Sequence, residues 1–292
     1  MTFSAFDLSR VQLDEIEVRV RHGGSGPPLL LLHGCPETHM MWGKIADDLA
    51  RDFTVIAPDL RGYGESGRPA AAADGSTYSK RTMARDALQL MRRFGFERFG
   101  VAGHDRGARV AYRLALDHPQ AVSRVSVLDI VPTGELWARA DHRVALTYWH
   151  WGFLAQPAPG PEKAIAADPE HFFFRMMVRA DPGIFEPAAY ADYLRCVSSA
   201  DGIRGVCDDY RAGAGFDRRL DREQMGRARI ACPVQVLWGA KSPVGGWYDV
   251  PAVWRGWADD MRPQALDCGH FLPEEKPAET LAAFRAFFGE AN

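Results

Sequence analysis

The segment Val101-Ala102-Gly103-His104-Asp105-Arg106-Gly107 brackets one acidic residue with glycines two positions before and two positions after it. That spacing has the form of a nucleophile elbow, a sharp strand-to-helix turn that pushes a single side chain into a pocket. Gly103 and Gly107 would give the close backbone approach such a turn needs. The nucleophile position holds Asp105 where a serine is usual. A carboxylate there cannot form the usual acyl-enzyme, but it can attack a saturated carbon and become an ester. The expected chemistry is cleavage of a carbon–halogen bond or an epoxide, and not that of an esterase or peptidase.

A second group must activate the water that hydrolyses such an ester. His270, in Asp267-Cys268-Gly269-His270-Phe271, follows the last expected strand and is the candidate base. A histidine base needs a carboxylate to hold its tautomer and stabilise its charged form. Asp129 is the candidate, since the alternative place for such an acid, Trp238-Gly239-Ala240-Lys241-Ser242, contains none. Arg106 and Arg109 stand at the start of the elbow helix, which normally packs at a domain centre. Arginine is rarely buried without a partner. A substrate carboxylate would supply one through charge-assisted hydrogen bonds worth about 1.5–3 kcal/mol each, and a helix N-terminus adds a field favourable to an anion. The competing explanation is that either arginine pairs with a protein carboxylate or snorkels to solvent. Arg113, one turn on, reads as an ordinary ion-pairing residue.

These residues need a scaffold. Ile16, Val18 and Val20 alternate with charged residues, as in an early antiparallel hairpin. Apolar runs at 29–32, 54–57, 99–102, 125–128 and 234–237 are separated by helix-length segments, the pattern of a mostly parallel sheet covered on both faces. Chemistry in such sheets sits beyond the carboxyl ends of the strands, where His33, Asp105 and Asp129 fall. Between about Gly134 and Asp221 the strand-like runs stop and aromatic residues accumulate, with a Pro/Gly loop at 156–161. The expected organisation is an α/β core in two parts, 1–133 and 222–292, interrupted by a helical cap at 134–221.

The chain has 292 residues, 47% of them hydrophobic, and a formal net charge of -3. That balance gives no reason to expect nucleic acid or an anionic membrane as partner. No apolar run approaches the roughly 18 residues of a membrane span, and Met1 to Arg10 lacks a signal-peptide pattern. Five cysteines without CxxC spacing fit free thiols in a reducing cytoplasm better than disulfides or zinc. The histidines show no metal-ligand spacing, so neither a metal nor an organic cofactor is expected. His33 is expected to brace its loop and His104 to serve packing. Cys35 is a weak nucleophile candidate, because it has no sequence partner.

His33-Gly34-Cys35-Pro36 with Trp42, Asp59-Leu60-Arg61-Gly62-Tyr63-Gly64-Glu65-Ser66, the elbow, Asp129 and His270 together resemble the α/β-hydrolase superfamily over nearly the whole chain. The order nucleophile, acid, histidine is that of the superfamily. Asp105-Arg106-Gly107-Ala108-Arg109 and Tyr148-Trp149-His150-Trp151 resemble the fluoroacetate (haloacetate) dehalogenases within it. The resemblance implies a halide pocket made by His150, Trp151 and Tyr210. It also implies an oxyanion hole made by the backbone N–H groups of Cys35 and Arg106, a small haloacid as substrate, and a homodimer. Family members often carry Phe where this chain has Cys35, which leaves a smaller pocket wall. An epoxide hydrolase shares the nucleophile, base and fold, but would need two tyrosines to protonate the epoxide oxygen and has no use for Arg106 and Arg109. A non-catalytic small-acid binder would retain the pocket and would not need all three triad positions filled.

Overall fold

The computed structural model describes residues 2–290; Met1 and residues 291–292, which fall in the first and last expected segments, lie outside it. An eight-stranded sheet runs in the order β1-β2-β4-β3-β5-β6-β7-β8. Its strands are β1 (Phe6–Gln12), β2 (Glu17–Gly23), β3 (Pro28–Leu32), β4 (Thr54–Pro58), β5 (Phe99–His104), β6 (Val122–Leu128), β7 (Val234–Gly239) and β8 (Met261–Leu266). The pairs β1–β2 and β2–β4 are antiparallel, the hairpin that the Ile16–Val20 alternation predicts, and all other pairs are parallel.

The continuous apolar runs are the central strands. Leu29 to Leu32 are at most 1% exposed, as strands covered on both faces must be. β8 closes the sheet at one edge, with Arg262, Pro263 and Gln264 exposed. A proline and a charge on an edge strand leave little for another strand to pair with.

The register sets the site. Leu32 lies beside Gly103, His104 beside Leu128, Leu128 beside Leu237, and Gly239 beside Leu266. The carboxyl ends of β3, β5, β6, β7 and β8 are thereby aligned, and every loop that carries a candidate residue leaves from that line.

From Thr133 to Gln224, between β6 and β7, every element is helical. The loop expected at 156–161 ends early, because a helix, Gly160–Ala166, begins inside it with Pro161 in its first turn. Proline suits that position, since its missing N–H would have no helical partner there. Aromatic side chains pack this segment; Phe173 and Tyr193 are fully buried. Among the described residues no helix is long and apolar enough to cross a membrane.

Candidate active site

Asp105 is the first residue of the helix Asp105–Asp117 and directly follows β5. Its φ is +45°, in the left-handed region that non-glycine residues rarely occupy. The flanking glycines are sterically required. A Cβ on Gly103 would stand 2.4 Å from the Gly107 carbonyl oxygen, and one on Gly107 would stand 2.2 Å from that of Leu32. The Cys35 backbone N–H donates to Asp105 Oδ2 at 3.0 Å. Burial works against a charged Asp105, but His270, Arg106, His104 and Arg109 outweigh it and hold the carboxyl below its ordinary value. Asp105 is therefore ionised over the physiological range.

His270 donates from Nδ1 to Asp129 Oδ2 at 2.6 Å, which leaves Nε2 as its free ring nitrogen. The other Asp129 oxygen accepts from the Gly239 N–H at 3.0 Å and the Ser242 hydroxyl at 2.7 Å. The stretch that lacks an acid thus supplies two donors to the acid one strand away. Asp129 has a φ of +52°, a second carboxylate held in the left-handed region at a strand end.

Arg109 is buried and has no ion-pair partner among the described residues. Its Nη1 donates to the Val131 carbonyl at 3.0 Å and to Thr133 at 3.1 Å, and its Nε is buried without a partner. Arg106 is held differently. Its Nε donates to Asp209 Oδ2 at 2.6 Å and its Nη2 to the Asp209 carbonyl at 3.0 Å. The pairing with a protein carboxylate named above as the competing explanation is thus present at Arg106, but Asp209 engages only Nε and Nη2, and Nη1 is buried without a partner. Arg113 bridges Asp117 and Asp221 at 3.0 and 3.1 Å, the ordinary pairing expected of it.

A cavity of about 270 Å³ is lined by Asp105, Arg109, Asp129 and His270 from the core, and by His150, Trp151 and Tyr210 from the helical segment. Cys35, Tyr148 and Arg179 also face it, while Arg106 is not among the lining residues. The Arg106 guanidinium carbon lies 4.2 Å from the Tyr210 ring centre and 5.3 Å from that of Trp151. The His150 and Trp151 rings each meet Tyr210 edge-on, with centres 5.9 and 5.7 Å away, so the three groups form one corner of the cavity. Burial lowers the His150 pKa to about 3, so its imidazole is neutral. Burial also raises the Tyr148 and Tyr210 phenols well above their ordinary value, and both remain protonated donors. A larger groove of about 690 Å³ lies at the amino ends of β3 and β5, and no residue of the Asp105–Asp129–His270 constellation lines it.

His33 donates from Nδ1 to the Gly34 carbonyl at 2.7 Å and accepts from the Leu60 N–H at Nε2, so it braces the loop that presents Cys35. The Cys35 thiol is pushed well up by burial and by Asp105 beside it, which removes it as a nucleophile. The packing role expected of His104 understates it. Its Nε2 donates to the His270 carbonyl at 2.8 Å, its Nδ1 lies 3.1 Å from Glu37 Oε2, and its ring centre is 4.5 Å from that of His270. Glu37, Ser242 and Asp209 also support the site without any motif that marks them. Among the described residues no group of three His, Cys, Asp or Glu side chains is placed to hold a metal ion.

The fold finds counterparts among known proteins. The α/β hydrolase fold family matches residues 27–277, and the chain belongs to that family. It is 41% identical to a fluoroacetate dehalogenase of Burkholderia sp., over 99% of this chain and 96% of that one. It is 35% identical to a soluble epoxide hydrolase of Corynebacterium sp. (strain C12), over 91% of each. The crystal structure of an α/β hydrolase from Nostoc sp. PCC 7120 superposes with a TM-score of 0.96 at 47% identity, covering 99% of this chain and 100% of that one.

Proposed function

We propose that this hydrolase removes halide from short 2-haloacids, fluoroacetate and chloroacetate among them, through a covalent ester on Asp105. One observation carries the reading. Beside the ionised Asp105, on one turn of its helix, Arg106 and Arg109 each keep a buried guanidinium nitrogen without a partner. Buried donors are paired in almost all native structures, and two on one helical turn suit the two oxygens of a carboxylate. The likeness to the Burkholderia fluoroacetate dehalogenase supports the same reading.

In this mechanism the guanidiniums fix the substrate carboxylate and aim its 2-carbon at Asp105. Oδ2 is engaged by the Cys35 N–H, so Oδ1 attacks in line, forms the C–O bond and expels halide with the C–X electron pair. The neutral His150, Trp151 and Tyr210 donate to the departing halide. Water then attacks the ester carbonyl while His270 Nε2 takes its proton, and Asp129 stabilises the resulting imidazolium. The oxyanion formed at Asp105 meets the Cys35 N–H. Collapse breaks the acyl bond to the 2-carbon's oxygen, which takes the proton held by His270 and leaves as the 2-hydroxy acid, and Asp105 is regenerated as the carboxylate by loss of the second water proton to solvent.

A second reading rests on Tyr148 and Tyr210, two protonated phenols lining the same cavity. They are the pair that epoxide opening would use, and the Corynebacterium relative is an epoxide hydrolase. The deciding experiment incubates wild-type protein and Asp105→Ala with fluoroacetate, chloroacetate and styrene oxide. Halide release by wild type alone is the expected result. Diol formation without halide release establishes the second reading instead.

A further inference from the structure

We infer that Asp209 is the positioning residue for Arg106: it fixes the guanidinium so that one nitrogen, Nη1, is left for the substrate carboxylate. This rests on the carboxylate-binding reading of Arg106 given above.

Asp209 is fully buried and its carboxylate is gripped from three sides. Oδ2 accepts from Arg106 Nε at 2.6 Å and from the Tyr63 hydroxyl at 2.7 Å. Oδ1 is taken by the ammonium of Lys80, itself 2% exposed. All of those donors come from the sheet domain, from the loop after β4 and from the helices Lys80–Arg93 and Asp105–Asp117. Asp209 comes from the helical segment, on Ala200–Ala212, immediately before Tyr210.

Two features separate this from a generic buried ion pair. First, the grip uses Nε, with Nη2 tied to the Asp209 main chain, so the guanidinium plane cannot rotate. Its remaining donor, Nη1, is among the buried side-chain nitrogens without a partner. Second, the charges close without substrate only if Lys80 is counted. Arg106 and Lys80 face Asp209 and Asp217, whose Oδ2 is 3.8 Å from Lys80. Lys80 therefore occupies the other Asp209 oxygen, so Arg106 meets the carboxylate through Nε alone and its Nη1 stays outside the pair. A group held in its bound orientation loses little freedom when the ligand arrives, and that raises affinity directly.

The test uses Asp209→Asn, and Asp209→Asn/Lys80→Met, which removes one charge of each sign and keeps the net charge of the buried cluster unchanged. Acetate and acetamide are titrated calorimetrically into each folded variant, and chloroacetate turnover is followed in parallel. The expected result is a rise of at least tenfold in the acetate Kd and the chloroacetate KM in both variants. The change in kcat is expected to be smaller than that in KM, and the weak acetamide binding unchanged. A folded double variant with wild-type acetate affinity overturns the inference. So does parallel loss of acetate and acetamide, the mark of a merely structural role, and so does a wild type that binds acetate no better than acetamide. Absence of halide release from any haloacid by wild type defeats the dehalogenase reading alone, because the acetate titration still reports on Arg106.

Discussion

The Ser242 hydroxyl donates to Asp129 Oδ1 at 2.7 Å, from the loop that follows β7. With the Gly239 N–H on the same oxygen, it fixes the carboxylate whose other oxygen orients His270. Ser242→Ala leaves Oδ1 one donor short, a loss of about 1.5–3 kcal/mol for a hydrogen bond to a charged group if none of it is recovered. Part of that loss is expected in the hydrolytic half-reaction. Steady-state turnover should fall roughly tenfold while the first equivalent of halide leaves at the wild-type rate. A slower halide burst would mean that Ser242 acts on the nucleophile as well.

In the proposed mechanism His270 acts only after the ester has formed. His270→Gln should therefore release a single equivalent of halide from chloroacetate and stop. Intact-mass spectrometry should then find one carboxymethyl group per chain, and peptide mapping should place it on Asp105. Continued turnover by this variant would remove His270 as the base.

Tyr210 stands in the corner shared with His150 and Trp151. Tyr210→Phe removes one O–H donor and keeps the ring against Arg106. By the measure of other developing-charge donors, the cost is about 2.7–4 kcal/mol, or roughly 10²–10³ in rate. The loss should be larger for fluoroacetate than for chloroacetate, because fluoride concentrates charge on a smaller atom. Equal losses for the two substrates would assign Tyr210 to another step.

Burial pushes the Glu37 carboxyl up to about 7, and Glu274 beside it is raised as well, with the Tyr193 hydroxyl on its outer oxygen at 3.0 Å. An acid whose folded pKa is raised favours folding fully below its unfolded value, about 4.5, and loses that contribution as pH rises through the folded value. Wild-type stability should therefore decline between about pH 4.5 and 7, by up to about 3 kcal/mol from this group. Glu37→Gln should flatten that decline. Urea unfolding at pH 5, 6, 7 and 8 measures it, and parallel slopes for the two proteins would assign the decline elsewhere.

Much of this site is legible in the sequence because strand ends and chemistry coincide. Each apolar run that forms β3, β5, β6 or β7 stops where a candidate residue or its supporting loop begins, and the sheet register then aligns them. The two glycines around Asp105 mark a turn that only small residues permit. Asp209 is not legible in the same way. It lies 103 positions from Arg106 on an amphipathic helix without a motif, and only packing between the helical segment and the core brings them together. His104 is misread for a local reason. The elbow does turn its side chain away from the cavity mouth, but the space behind the turn is occupied by the His270 loop, so pointing away from Asp105 means touching its partner.

The turn at Asp105 has a consequence for how this protein can be altered. Its left-handed backbone is secured by Gly103 and Gly107 lying against neighbouring main chain, and not by the aspartate side chain. The tip is therefore an interchangeable part. Serine or cysteine at position 105 would inherit the same exposure, the same Cys35 N–H and the same His270. Position 105 sets which nucleophilic atom is offered, whereas the turn that offers it is set by the glycines on either side.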